Sequence, residues 1–218
     1  MNVVDMSSKE LVSFIIDDTF QLLSGLNLSK DNPMVNIHEV AERLGLQIEE
    51  NPLVKHVHAI MNGSTIMLRP DDSPEQKRFS IAHEIAHIRT NGKISVRLDD
   101  GNQVTVYYDQ NAQVARQMDL SRRMNELPQI HRKGVNLVEE ALDYYAASLL
   151  LPSSLFAMLM EQSNEDIARL CSVPVACVQK RREEIRSELN ILDTTSSPDV
   201  DFSAPLTAAE TLNFLGIV

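Results

Sequence analysis

"RFSIAHEIAHIRT", Arg78 to Thr90, places His83 and His87 four residues apart, with Glu84 beside the first. Around them stand Phe79, Ile81, Ala82, Ile85, Ala86 and Ile88, the residues of a buried helix. The ends of that helix are written locally: Ser73 is a good N-cap, Pro74 suits the first helical position, Gln76 completes a capping box, and Asn91-Gly92 stops the run. Residues four apart on a helix share one face, one turn apart. Two imidazoles so placed can converge on a single ion at the usual Zn–N distance of about 2.0–2.1 Å. Glu84 is rotated roughly 100° from His83, so it flanks such an ion instead of binding it. That position suits a base taking a proton from water activated by the metal. The HExxH helix is therefore expected to present a hydrolytic metal centre. The plainer alternative is a buried histidine pair satisfied by backbone carbonyls.

A catalytic zinc needs a third protein ligand and an open position. A third histidine six residues after the second is absent, since that position is Lys93. The ligand must come from further along. "LVEEALDYYAASLLLP", residues 137–152, reads as an amphipathic helix closed by Pro152, and it offers Glu139, Glu140 and Asp143. Glu139 and Asp143 share a face; Glu140 points elsewhere. A carboxylate inside an apolar helix is costly unless paired or coordinated. The alternative for Glu139 and Glu140 is a solvated helix N-terminus, where the helix dipole favours acids. His131 and Asp109 are further candidates, and spacing alone leaves the choice open.

The rest of the chain sets bounds. Its 218 residues suffice for one domain, or one domain with a small appendage. A formal charge of −11 argues against bulk attraction to nucleic acid or anionic lipid. Cys171 and Cys177 have no histidine partners at zinc-finger spacing and read as reduced core residues. No apolar run approaches the roughly 18–20 residues needed to cross a bilayer. The start, "MNVVDMSSKELVSF", lacks a basic region and does not read as a signal peptide, so the expected location is the cytoplasm.

Helical spacing covers about residues 7–23, and Ile37, Val40, Ala41 and Leu44 make a second helix face ended by Gly45. "LQIEE" looks like a strand, and Asn62-Gly63 marks a tight hairpin. "ISVRLDDGNQVTVYY" reads as a second hairpin, followed by a polar, weakly patterned stretch from Asp109 to Asn136. Short helices are expected after Pro152. A Ser/Thr/Pro/Asp-rich linker begins near Asp193, and Leu212, Phe214 and Leu215 near the end could dock.

Three blocks together resemble the ImmA/IrrE family of zinc metallopeptidases. "IHEVAERLGLQIE" is similar to the family's helix and strand before the hairpin. "IMLRPDDSPEQKRFSIAHEIAHI" is close to its strand, linker and "RFTLAHELGH"-type helix, and "EEALDYYAASLLLP" resembles its "ExxANxFAAxLLMP" helix. The likeness spans roughly Ile37 to Pro152, with an apparent insertion between His87 and Val138. It implies an α+β fold: a zincin-like metallopeptidase core at residues 1–152, with a small mixed or antiparallel sheet packed on the HExxH helix. A helical, helix-turn-helix-like subdomain would follow at 153–192, then a linker and tail at 193–218. It implies Zn2+ as cofactor, His83 and His87 as ligands, and Glu84 as the catalytic glutamate. Counting back from Pro152, Glu139 aligns with the family's third ligand. Leu142, Asp143 and Tyr145 depart from the family's alanine, asparagine and phenylalanine. The implied function is that of a cytoplasmic bacterial or phage regulator, an endopeptidase cleaving a helix-turn-helix repressor or antitoxin.

A competing reading is a DNA- or partner-binding transcriptional regulator whose zinc site is structural or vestigial. "NEDIARLCSVPVACVQKRREEI" has helix-turn-helix length, and Gln179, Lys180, Arg181 and Arg182 would meet phosphates. Glu183 and Glu184 dilute that charge. Three ligands rather than four favour an open, catalytic centre. For the oxyanion, Tyr107, Tyr108, Tyr144 and His131 are candidates. The strand at Thr65–Leu68 is the expected partner for an extended substrate. His56 and His58 share one strand face and read as packing residues, and His38 as surface. The tail is a candidate inhibitory strand.

Overall fold

The computed structural model describes residues 8–55, 57–91, 95–97, 103–105 and 129–193, and the side chains of 11–55, 57–91 and 138–186. Helix α1 spans Ser8–Leu23 and α2 spans Ile37–Arg43. Ile37, Val40 and Ala41 face inward from α2. Gly45, at φ +73°, turns the chain out of it, in the left-handed region that glycine tolerates best. Strands β1 (Gln47–Glu50), β2 (Ala59–Asn62) and β3 (Thr65–Leu68) form one mixed sheet in the order β1-β3-β2. β2 and β3 make the hairpin expected at Asn62-Gly63, while β1 runs parallel to β3.

That order corrects one expectation. Thr65–Leu68 is the central strand, paired on both edges, so it has no free edge for a substrate. The parallel partner comes from earlier in the chain, a pairing that no local pattern reveals. The two edges of this sheet belong to β1 and β2.

Helix α3 (Pro74–Arg89) packs on β2 and β3. The Ser73 hydroxyl accepts from the Gln76 N–H at 3.2 Å, with Pro74 at the first turn, as expected; the Gln76 side chain, expected to complete a capping box, donates to the Ser80 hydroxyl instead. Thr90 closes the helix, its hydroxyl donating to the Ala86 carbonyl at 2.7 Å. Ile81, Ala82, Ile85 and Ala86 are fully buried. The second hairpin is present as antiparallel β4 (Ser95–Arg97) and β5 (Gln103–Thr105).

Helix α4 (Gln129–Leu150) is longer than the sequence pattern predicts. Its first two turns, with Gly134 and several polar residues, give no amphipathic signal. The consequence is chemical: Glu139 and Glu140 sit mid-helix, not at a dipole-favoured N-terminus. After Pro152 come α5 (Ser153–Leu159), α6 (Asn164–Cys171) and α7 (Val175–Asp193). Leu155, Phe156, Leu159, Ile167, Cys171 and Val178 join the same hydrophobic cluster as Ile81 and Tyr145. Each such side chain contributes about 1.5–3 kcal/mol by burial. Both cysteines are buried and free. Among the described residues, no single helix is long and apolar enough to cross a membrane. His56, Tyr107, Tyr108, Asp109 and the tail from 194 lie outside the described residues, as does the side chain of His131.

Candidate metal centre

The HExxH spacing puts His83 and His87 on the face of α3 that meets α4, their ring centroids 4.9 Å apart. Across from them, α4 supplies Glu139. One ligand atom from each of the three lies within 4.8 Å of the other two. Glu139 Oε2 is 3.3 Å from His83 Nε2 and 4.0 Å from His87 Nε2. Asp143, one turn further along α4, goes to the other side of the same ring, 2.9 Å from His83 Nδ1. Of the carboxylates left open by spacing, Glu139 therefore converges with the imidazoles, Asp143 lies behind one of them, and Glu140 is exposed. Holding Nδ1–H on a carboxylate fixes the tautomer that leaves Nε2 for an ion.

Glu84 is buried at 3% exposure, and its Oε2 has no hydrogen-bond partner among the described residues. An unsatisfied buried carboxylate oxygen is costly. Burial pushes the Glu84 carboxyl up to about 7, against the pull of the His83 charge and with help from Glu139. Burial also drags His83 down, but the hydrogen bonds to Asp143 and Glu139 and the Glu84 charge outweigh it and raise His83 to about 10. His87, buried and beside a cationic His83, falls to about 4 despite Glu139 and Asp143. Burial raises Glu139, yet its hydrogen bond to His83 and both imidazole charges hold it below the usual carboxylate range. The cluster thus keeps one imidazole as an electron-pair donor and holds a proton on the other, the proton a metal ion would displace.

The donor set fits zinc: two imidazole nitrogens and one carboxylate oxygen, converging from two helices, with the remaining side open to a cleft of about 340 Å³. Glu84 supplies the second mark of fit, since its orphaned oxygen also lines that cleft. Val57, Ala59 and Phe79 give the cleft an apolar wall. His58, read from the sequence as a packing residue, lies on its rim. Its Nδ1 is 2.8 Å from Asp72 Oδ2 and 2.9 Å from an Arg69 amino nitrogen. The alternating His56/His58 spacing said nothing of this, because Asp72 and Arg69 reach His58 only once the β2–β3 hairpin forms.

Behind the centre, the ends of α3 and α4 are tied to α1. Arg89 donates from Nε to Asp18 at 2.9 Å and from its amino group to the other carboxylate oxygen, and the Tyr145 hydroxyl donates to Asp18 as well. Of the four residues proposed for phosphate contact, Gln179 and Lys180 are exposed, while the two arginines are engaged internally. Arg181 is fully buried, donating to the Leu151 carbonyl at 3.0 Å and the Ser153 hydroxyl at 2.8 Å, with Tyr144 under its guanidinium at 5.5 Å. Arg182 donates to the Met160 and Gln162 carbonyls and to Asn164. Both guanidinium groups thus brace the C-terminal helices, and Tyr144 packs with them instead of lining the cleft.

The family profile Peptidase_M78, described as the IrrE N-terminal-like domain, matches residues 41–183, a range that includes both helices of the centre. No curated protein matches the chain. A solved structure of a Mycobacterium tuberculosis transcriptional regulator is similar at 16% identity and a TM-score of 0.46, over 88% of this chain and 53% of that one. The chain thus spans about half the length of that regulator.

Proposed function

The chain belongs to the IrrE N-terminal-like peptidase family, and from that premise we propose that it is a zinc-dependent endopeptidase whose substrate is a regulatory protein, a helix-turn-helix repressor or antitoxin. The observation that carries the reading is the orphaned, buried carboxylate oxygen of Glu84 beside three converging donors. A carboxyl held near 7 is matched to moving protons at neutral pH.

His83, His87 and Glu139 would hold the ion, and Asp143 would orient His83. Bound zinc supplies Lewis acidity, which polarises a carbonyl and brings the pKa of water toward about 7. Glu84 takes the proton from the attacking water and passes it to the leaving amine. Residues leading into β2 line the cleft, and β2 is an edge strand, so its free backbone groups suit an extended peptide laid alongside it. Val57, Ala59 and Phe79 exclude water around the scissile bond.

The test is direct. Zinc-loaded protein is incubated with the repressor or antitoxin encoded beside its gene, and the products are read by mass spectrometry. Wild type yields two fragments; Glu84→Gln keeps its zinc and yields none. Equal cleavage by that variant removes the general-base role, and an intact partner with wild type removes the substrate class.

A further inference from the structure

Resting on that reading, we propose that His58 is a catalytic residue: it presents Nε2–H to the cleft and donates a hydrogen bond to the carbonyl oxygen of the scissile peptide and to the oxyanion that develops from it. Hydrolysis of an amide needs a donor at this oxygen, preorganised and aimed where charge develops. Among the described cleft residues, the other two imidazoles belong to the metal centre. The Gln76 amide nitrogen already faces the Ser80 hydroxyl at 3.3 Å. Tyr144, a candidate from the sequence, lies under Arg181 instead.

The placement of His58 is built. It precedes β2, the edge strand suited to a bound peptide, and its carbonyl accepts from the Arg69 N–H at 3.0 Å, which extends the hairpin ladder to this residue. Asp72 and Arg69 both reach Nδ1 and leave Nε2 as the ring nitrogen available to the cleft. The Asp72 side chain is only 5% exposed and is itself paired with Arg69. Burial raises the Asp72 carboxyl, but its bonds to His58 and Arg69 bring it below the ordinary value, so the anchor is an anion. A neutral ring accepting from Arg69 carries its proton on Nε2. A protonated ring donating to Asp72 carries one there as well. A neutral ring donating Nδ1–H to Asp72 would instead turn a bare Nε2 to the cleft; His58 acts in the arrangement in which the Arg69 N–H lies on Nδ1 and the ring proton sits on Nε2. The proton stays on His58 throughout; the transferred proton is the one Glu84 carries.

The experiment uses the full zinc-loaded chain and a mixture of random-sequence unstructured peptides, cleavage being read by mass spectrometry. The fastest-cleaved peptide is then synthesised to measure kcat and KM. His58→Ala should lower kcat about 10²–10³-fold, the range for losing one oxyanion donor, with KM little changed. His58→Gln, whose amide also donates, should recover part of the loss. Zinc content should stay at the wild-type level in both. A kcat within twofold of wild type in His58→Ala, beside an inactive Glu84→Gln, overturns the role of His58 and leaves the peptidase reading standing. Zinc loss in His58→Ala overturns it too, by making the residue part of the metal centre's support. Where wild type cleaves only the partner protein of the assay above, the same kcat and KM comparison is made on that protein; cleavage of neither overturns both.

Discussion

Helices α3 and α4 carry two polar clusters within a few residues of each other, and the two are solved differently. Toward α1, Asp18 receives two donors from Arg89 and one from Tyr145. Both partners respond: the Asp18 hydrogen bond raises Arg89, and burial followed by the same bond raises Tyr145, each toward keeping its proton. Toward the cleft, His83, His87, Glu139 and Asp143 share partners, while Glu84 keeps a buried oxygen with none. Removing a partner from a satisfied cluster leaves a charge stranded, so such a cluster resists change and serves as a brace. A cluster with an orphaned acceptor is held in a costlier state by the fold around it, and that state is useful only if something else enters the site. The same two helices thus carry a satisfied cluster at the back and, at the front, one with an orphaned acceptor.

Single substitutions on each side should break the comparison into its parts. The largest effect is expected from Glu139→Ala: zinc stoichiometry should fall from about one per chain toward zero while the metal-free protein keeps its fold, since two imidazoles on one helix lack the facing ligand a zinc site requires. Metal analysis after dialysis measures this, and unchanged stoichiometry would remove Glu139 from the site. Asp18→Ala should do the reverse. It takes from Arg89 and Tyr145 their shared carboxylate and should lower stability by about 3 kcal/mol, toward the low end for a broken buried pair because Arg89 reaches solvent. Urea unfolding checks the loss, and zinc stoichiometry should persist. Asp143→Ala belongs between the two. It removes the group orienting His83, so zinc affinity should drop about 10–100-fold without loss of stoichiometry at saturating metal. A competition titration with a chelator reads that range.

The same contrast explains what could be read in advance. His83, Glu84 and His87 were legible because a helix is a local object: Ser73, Pro74 and Gln76 set its start, and the 3.6-residue period set the face. Glu139 was not settled by spacing, since Asp143 shares its face of the helix; the resemblance of the "EEALDYYAASLLLP" block singled it out. The true length of α4 was hidden because its first turns are polar. The central position of β3 depends on a parallel partner 18 residues upstream, and strand order is set by tertiary packing. Asp18 was invisible for the same reason: its partners Arg89 and Tyr145 lie 71 and 127 residues away in sequence. His58 looked like an exposed hairpin residue because its meaning comes from Asp72 and Arg69.

The smallest effect should come from pH, and it sharpens the comparison because Glu84 on the cleft side is raised to about 7, whereas Arg89 and Tyr145 on the other side are both raised toward keeping their protons. In the metal-free protein His83 is raised to about 10, so it holds a proton that an ion must displace. Zinc affinity should therefore rise with pH across the neutral range and level off near that value. Stability of the metal-free chain runs the other way. A group with a raised folded value contributes fully below its unfolded value, about 6.5 for histidine, and the contribution disappears as pH climbs through the folded one. Glu84, raised to about 7, has the same sign in a lower window, between its ordinary 4.5 and 7. Asp143→Asn is the informative variant. It keeps an acceptor on His83 Nδ1 but removes the charge, so the levelling point should move down by about one pH unit. Calorimetry in two buffers of different ionisation enthalpy counts the protons released. A zinc affinity that stays flat from about pH 6.5 to 9 in wild type would mean that His83 carries no proton to displace.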